Sequence, residues 1–139
     1  EKLSEFFVGP EENITVMNDL AHNEILKHIE VPSSYAGANF YYEKVTDRDS
    51  WDFPIVNIAA AVKTSGGSVS DARIVSNGLA PVPKRLRRAE NAITGNSLNE
   101  NNIAAASEDV LANPAPQPDN EFKVDLADNL VSRALSNAQ

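Results

Sequence analysis

The side chains best suited to binding a ligand lie close together near the middle of the chain, at Lys44, Trp51, Asp52 and Phe53. An aromatic ring can cover another flat ring, and a nearby ammonium group favours an electron-rich edge. The alternative is purely structural. Lys44 would then end a strand as a surface cation and Asp52 would cap a turn. Trp51 and Phe53 would fill the core, and composition and spacing alone favour this alternative.

Other chemistry has little support in the sequence. The chain has no Cys, which excludes disulfides, thiolate zinc sites and iron–sulfur ligation within it. His22 and His28 lie on different kinds of segment without carboxylates at ligand spacing, so no metal site is predicted. The acidic run at Asp47, Asp49 and Asp52 lacks the glycine and the closing Glu of a calcium loop. No Ser pairs credibly with a His and an acid, so no catalytic residue is predicted.

Length and charge narrow the class of protein. The 139 residues fit one domain, and a hydrophobic content of 42% is enough for a core. The net charge of −8 argues against general nucleic-acid binding, which needs a basic face. Residues 84–88 are a local exception with four cations, either a solvated helix face or a docking patch for an acidic partner subunit.

The first residues of the sequence and its apolar runs bear on where in the cell the protein is found. The longest apolar stretch, residues 58–62, is too short to cross a bilayer, and the first residues are not a secretory signal. A cytoplasmic location is therefore expected, with the periplasm as the alternative. The chain does not begin with Met, so we expect it to be the middle of a longer polypeptide.

The first half of the chain has the patterns of strands. Residues 1–24 are polar with scattered apolar positions, which predicts a connecting arm, and the domain proper is expected over residues 25–139. Period-two alternation, β-branched residues and aromatic residues predict strands at 25–31, 39–45, 53–63 and 69–77. Thr64-Ser65-Gly66-Gly67 predicts a hairpin turn between the last two strands, because glycine supplies positive φ.

After Gly78 the apolar period changes to that of helices. Leu86, Ala89 and Ile93 predict a first helix, with Pro83 near its first turn and Gly95 after its last. Ser97 and Glu100 fit a capping box that opens a second helix, whose inner residues are Ile103, Ala106 and Val110. A third helix carries the stripe Leu126, Leu130, Ala134 and Leu135. The predicted fold class is α+β, an antiparallel sheet of three or four strands followed by three helices packed on one face.

An ordered series of short motifs resembles the C-terminal domain of the FAD-binding subunit of molybdenum hydroxylases, the xanthine dehydrogenase, aldehyde oxidoreductase and CO dehydrogenase group. The resemblance covers roughly residues 25–137. Its motifs are Pro32-Ser33-Ser34-Tyr35, Tyr42-Glu43-Lys44, Ser50-Trp51-Asp52-Phe53, Gly66-Gly67, Asp71-Ala72-Arg73-Ile74, Ala80-Pro81-Val82-Pro83, Ala89-Glu90 and Arg133-Ala134-Leu135. Phe6-Phe7-Val8-Gly9-Pro10 also resembles the exit from the preceding FAD domain.

The resemblance implies a flavin site shared with preceding domains. It implies that Lys44 and the pair Asp52-Phe53 lie beside the bound flavin. We therefore expect Lys44 and Phe53 to face one exposed concave edge, with Trp51 next to them and more buried. The family's Thr-Ile-Gly-Gly loops, which hold the FAD pyrophosphate, are absent here, so the chain alone is not expected to hold FAD.

Two functions remain open at this point. The first is a non-catalytic part of a flavin electron-transfer subunit, whose partners are the preceding FAD-binding domain and the iron–sulfur and molybdopterin subunits. The second is a free-standing, non-enzymatic interaction module with the same fold and no flavin. Neither reading includes a nucleic acid or a membrane as partner.

Overall fold

A computed structural model describes residues 1–108 and 110–138. The short helix α1 spans Leu3–Phe6, and a single 3-10 turn spans Ser33–Tyr35. The strands are β1 (Asn39–Val45), β2 (Val56–Ser65), β3 (Ser68–Asn77) and β4 (Lys84–Arg85). The remaining helices are α2 (Arg87–Ile93), α3 (Glu100–Ser107) and α4 (Phe122–Ser136). No described helix is both long enough and apolar enough to cross a membrane.

The four strands form one antiparallel sheet in the order β1-β2-β3-β4. β2 and β3 are joined by the predicted hairpin, where Gly66 and Gly67 have φ of 59° and 83°. Such values strain residues with a Cβ, so this turn depends on glycine. The predicted α+β fold is confirmed. The strand predicted over 53–63 begins later, at Val56, so Phe53 precedes the sheet.

One face of the sheet carries the core. Successive side chains of a strand point to opposite faces, and alternate residues are buried from Val56 to Val62 in β2 and from Ala72 to Ser76 in β3. The helix α4 packs on β2 and β1, α2 packs on β3, and α3 packs against both helices. The largest side chains that are fully buried among them are Ile58, Ile74, Ile93, Leu130 and Leu135.

β1 is tied to α4 by a polar network on the inner face of the sheet. Glu43 accepts hydrogen bonds from the Tyr41 hydroxyl and from the Arg133 guanidinium. The hydrogen bond with Glu43 and burial raise the pKa of Tyr41 above its usual range. These contacts fix the face of β1 that points inward, and they leave Phe40, Tyr42 and Lys44 on the outer face.

Three sequence predictions about element boundaries were wrong. Ser97 does not open α3; Asn99 is the N-cap and accepts a hydrogen bond from the Asn102 backbone N–H at 2.9 Å. Pro83 lies outside the first turn of α2, because Lys84–Arg85 pair with β3 before the helix begins at Arg87. Val110 is buried but follows the end of α3.

The strand predicted over residues 25–31 was also wrong. These residues have no regular structure, and Ile25 is 85% exposed. An alternating pattern shows that a segment suits a sheet, but a strand forms only where a neighbour supplies the hydrogen bonds. None of the described strands pairs with residues 25–31. Gly95, in contrast, ends α2 with a φ of 86°, as predicted.

Candidate functional site

The site residues lie at the end of β1 and in the loop that follows it. Lys44 pairs with Asn57 of β2 and points to the outer face of the sheet, away from the helices. The loop covers residues 46–55 and returns to β1, where the Ile55 N–H donates to the Val45 carbonyl at 2.8 Å. The site is therefore an exposed edge of the sheet. A cleft of about 550 Å³ lies elsewhere, at the opposite end of β1 beside Asn39.

Asp52 organises this loop through hydrogen bonds to its backbone. Its Oδ2 accepts from the N–H groups of Asp47, at 3.0 Å, and Arg48, at 2.9 Å. Its side chain is only 18% exposed, and the Arg48 Nη2 lies 3.7 Å from Oδ1. Short polar side chains stabilise turns in this way, because they replace water as partners of the backbone. The expectation that Asp52 caps a turn is confirmed.

Lys44 is joined to the same loop. Its Nζ donates to the Asp52 main-chain carbonyl oxygen at 2.6 Å. An ammonium group has three donors, and the described residues use one of those on Lys44. The other two N–H donors of Lys44 make no hydrogen bond with a described residue, so they are available to a ligand.

Trp51 and Phe53 do not fill the core. Trp51 is 97% exposed and Phe53 is 89% exposed, which also overturns the expectation that Trp51 is the more buried of the two. Trp51 adopts a φ of 54°, which is uncommon for a residue other than glycine. Its carbonyl accepts a hydrogen bond from Arg48 Nη2 at 2.7 Å, so the loop's own bonds hold the ring outward. No described part of the chain covers either ring.

Two further aromatic residues share the outer face, and sequence reasoning gave them no role. Phe40 is 69% exposed and Tyr42 is 63% exposed, four and two residues before Lys44 on β1. The alternation of β1 was the available signal, since it places residues 40, 42 and 44 on one face. We call Phe40, Tyr42, Trp51 and Phe53 the aromatic surface. Large apolar side chains that are this exposed, when they cluster, mark interaction or ligand-binding sites.

No metal site emerges within residues 1–108 and 110–138, where no three His, Asp or Glu side chains lie close enough to hold an ion. His28 contacts Glu30 at 3.1 Å, with both side chains largely in solvent.

Comparison with known proteins identifies the domain. The sequence profile described as the CO dehydrogenase flavoprotein C-terminal domain matches residues 40–138. The chain belongs to this family. The resemblance to the C-terminal domain of the FAD subunit of molybdenum hydroxylases is thereby confirmed. Lys44 and the whole loop lie inside the matched range, whereas residues 1–39 precede it.

Individual relatives extend the comparison beyond the family domain. The carbon monoxide dehydrogenase medium chain of Hydrogenophaga pseudoflava is 29% identical over 137 residues, covering 96% of this chain and 46% of the relative. The xanthine dehydrogenase FAD-binding subunit of Escherichia coli O157:H7 is 29% identical over 127 residues, covering 86% of this chain and 42% of the relative.

A solved structure of the Hydrogenophaga CO dehydrogenase superposes with a TM-score of 0.80. It is 31% identical in sequence, and the match covers 97% of this chain and 46% of that chain. The superposition therefore includes most of the polar N-terminal region as well as the CO dehydrogenase flavoprotein C-terminal domain. The chain spans a little under half the length of the relatives it matches.

Proposed function

We propose that this chain is part of the flavin electron-transfer subunit of a molybdenum hydroxylase and that it covers FAD held mainly by preceding domains. The observation that carries the proposal is the exposed pair formed by the Phe53 ring and the Lys44 ammonium group, fixed through Asp52 and covered by no described residue. Membership of the flavoprotein C-terminal domain family supports it.

The residues present suit one part of FAD. An exposed flat ring at Phe53 or Trp51 can cover the isoalloxazine face, and the spare donors of Lys44 can bind its electron-rich pyrimidine edge. The pyrophosphate needs closely spaced backbone N–H groups from glycine loops. Gly66 and Gly67 instead belong to the β2–β3 hairpin, at the far end of β2 from the loop. FAD, when bound, would supply the electron-transfer chemistry.

Each site residue would have a distinct task. Lys44 would place positive charge beside the flavin, which favours the reduced, anionic form and raises its potential. Phe53 would cover the ring and limit the access of water. Asp52 would act as a positioning residue, because its carboxylate is already occupied by the backbone of the loop. Trp51 would extend the apolar contact. None of these side chains would perform catalysis alone.

Partners follow from the same arrangement. The aromatic surface would pack against the preceding FAD-binding domain, and residues 1–24 would be the arm that connects the two. Other surfaces would contact the iron–sulfur and molybdopterin subunits. Burial of such rings on assembly would contribute roughly 1.5–3 kcal/mol for each ring that is fully covered.

The alternative function is a free-standing interaction module with the same fold and no flavin. The same observation, an aromatic surface exposed to solvent, is compatible with it, because protein partners also cover such patches. The two functions differ in one measurable property, which is the presence of FAD in the natural protein that contains this chain.

The experiment purifies that natural protein and measures FAD per polypeptide by absorbance after release. Near-equimolar FAD is expected. Lys44→Ala and Phe53→Ala should each weaken FAD retention by about 1–3 kcal/mol, the scale of a charge-assisted hydrogen bond or an aromatic contact. Lys84→Ala is the matched control, because it removes an exposed lysine from the opposite edge of the sheet. A natural protein free of flavin would favour the interaction module.

A further inference from the structure

A second polar surface lies at the opposite edge of the sheet from Lys44. There a cleft of about 370 Å³ runs between β3 and the start of α2. Its lining includes three guanidinium groups, two carboxylates and one amide, contributed by Arg73, Arg85, Arg87, Asp71, Glu90 and Asn91. We call this the arginine cleft.

Both oxygens of each carboxylate in the arginine cleft already accept hydrogen bonds from the protein. Asp71 accepts hydrogen bonds from the Tyr35 hydroxyl on Oδ2 and from Arg73 on Oδ1. Glu90 accepts from the Ile74 N–H and from Arg85 Nε, both at 2.8 Å and both on Oε1. Its Oε2 accepts from Arg85 Nη2. Both carboxylates of the cleft are therefore engaged by the protein itself.

The donors of the arginine cleft are in excess. A guanidinium group has five N–H donors, of which Arg85 commits Nε and Nη2 to Glu90, and Arg73 commits Nη1 to Asp71 and the Ala72 carbonyl. Arg87 is exposed and makes no hydrogen bond or ion pair with any residue in 1–108 or 110–138. The two paired guanidinium groups are held in fixed orientations, and a fixed fork is the geometry that recognises a carboxylate.

The local charge has the opposite sign to that of the whole chain. Three cations and two carboxylates line the cleft, and Lys84 and Arg88 adjoin Arg85 and Arg87 in sequence, on a chain whose net charge is −8. At physiological ionic strength charges are screened beyond about 8 Å. A short acidic segment would therefore experience the local positive charge, whereas an extended polyanion such as a nucleic acid would also meet the acidic remainder of the surface.

We propose that the arginine cleft is a docking site for an acidic polypeptide segment of a partner protein. Carboxylate side chains of that segment accept hydrogen bonds from Arg87 and from the unused donors of Arg73 and Arg85. This site lies across the sheet from the aromatic surface, and its occupancy does not depend on flavin.

The test measures binding of a fluorescein-labelled hexaglutamate peptide to the 139-residue chain by fluorescence anisotropy, with a hexaglutamine peptide as the neutral control. Hexaglutamate should bind, hexaglutamine should not, and rising salt should weaken the complex. Arg87→Gln should weaken binding by about tenfold, the effect of losing a charge-assisted hydrogen bond. Lys2→Gln removes the same charge from an exposed side chain outside the lining of the cleft and should leave the affinity unchanged.

Circular dichroism should be identical for both variants, because both side chains are exposed. The proposal is overturned if hexaglutamate does not bind at low salt, or if Lys2→Gln weakens binding as much as Arg87→Gln. It is also overturned if inorganic phosphate displaces the peptide at equal charge concentration, which would indicate a small-anion site. A single-stranded oligonucleotide of equal charge that binds more tightly than the peptide would likewise contradict it.

Discussion

Lys44 and Asp52, eight residues apart, are joined by a hydrogen bond of 2.6 Å from the ammonium group to the main-chain carbonyl. The side chain of Asp52 meanwhile holds the backbone of the same loop through the N–H groups of residues 47 and 48. The cation and the ring of Phe53 are thus positioned by one hydrogen-bonded unit. A substitution at Lys44 or at Asp52 therefore alters the contacts of the other residue.

Asp52→Ala should destabilise the chain by about 1–2 kcal/mol, because two backbone N–H groups lose their acceptor. Asp52→Asn retains one side-chain acceptor and should therefore lose less stability than Asp52→Ala. Urea denaturation followed by circular dichroism measures both free energies of unfolding. Asp49→Ala is the matched control, since Asp49 is exposed in the same loop. Equal stabilities of Asp52→Ala and Asp49→Ala would show that Asp52 does not hold the loop.

The isolated 139-residue chain should bind FAD weakly or not at all. The proposed flavin contacts involve the ring alone, and the described residues include no glycine loop for the pyrophosphate. Titration of FAD fluorescence with the chain measures the affinity directly. Saturable binding with a dissociation constant on the order of micromolar or tighter would mean that the chain carries a complete site. The natural protein, in which the preceding domains are present, provides the comparison.

Periodicity predicted the elements that bury side chains against the chain itself. The β2–β3 hairpin and the apolar stripe of α4 follow from local pattern, because their partners lie within the domain. Residues 25–31 carry an equally regular pattern, yet Ile25 and its apolar neighbours are exposed. Periodicity indicates which side of a segment is apolar. It does not indicate whether a partner for that side is in the same chain.

The candidate site likewise contains some features that local sequence patterns predict and others that they do not. Asp52 was predictable as a turn residue, since an Asp within a charged turn commonly accepts backbone hydrogen bonds. The exposure of Phe53 agrees with the place that the family resemblance gives it, whereas the exposure of Trp51 was not predicted, because aromatic residues are usually buried. In the sequence, Glu90 stands out only as part of the motif Ala89-Glu90. Its burial depends on Arg85 and the edge of β3, contacts that no helix pattern reveals.

Asp71 should make stability depend on pH on the acid side. Burial of its carboxyl opposes ionisation, but the Tyr35 hydroxyl and the charge of Arg73 outweigh burial and lower the pKa of Asp71 below 3.8. The stability that ionised Asp71 contributes is therefore fully present above the pKa that this carboxyl has in the unfolded chain. It is lost as the pH falls through the lower pKa that the carboxyl has in the folded chain. The melting temperature, measured by thermal unfolding from pH 7 to pH 2, should decline less steeply for Asp71→Asn than for the original chain. Parallel declines would contradict this role.

Glu90 should be the most sensitive polar position of the fold. Its side chain is only 6% exposed and bridges the guanidinium of Arg85 to the backbone N–H of Ile74 at the edge of β3. The hydrogen bond with Glu90 raises the pKa of Arg85, so the arginine stays charged at every accessible pH.

Glu90→Ala would therefore leave an uncompensated cation and an unpaired N–H group beside the core. Breaking a buried pair in this way costs about 3–5 kcal/mol, and the partial exposure of Arg85 places the expected loss near the lower end. Glu90→Gln keeps the shape and one acceptor and should lose less. Chemical denaturation measures the differences, with Glu12→Ala, an exposed glutamate of the N-terminal region, as the control. A loss below about 1 kcal/mol for Glu90→Ala would place this pair among ordinary surface ion pairs.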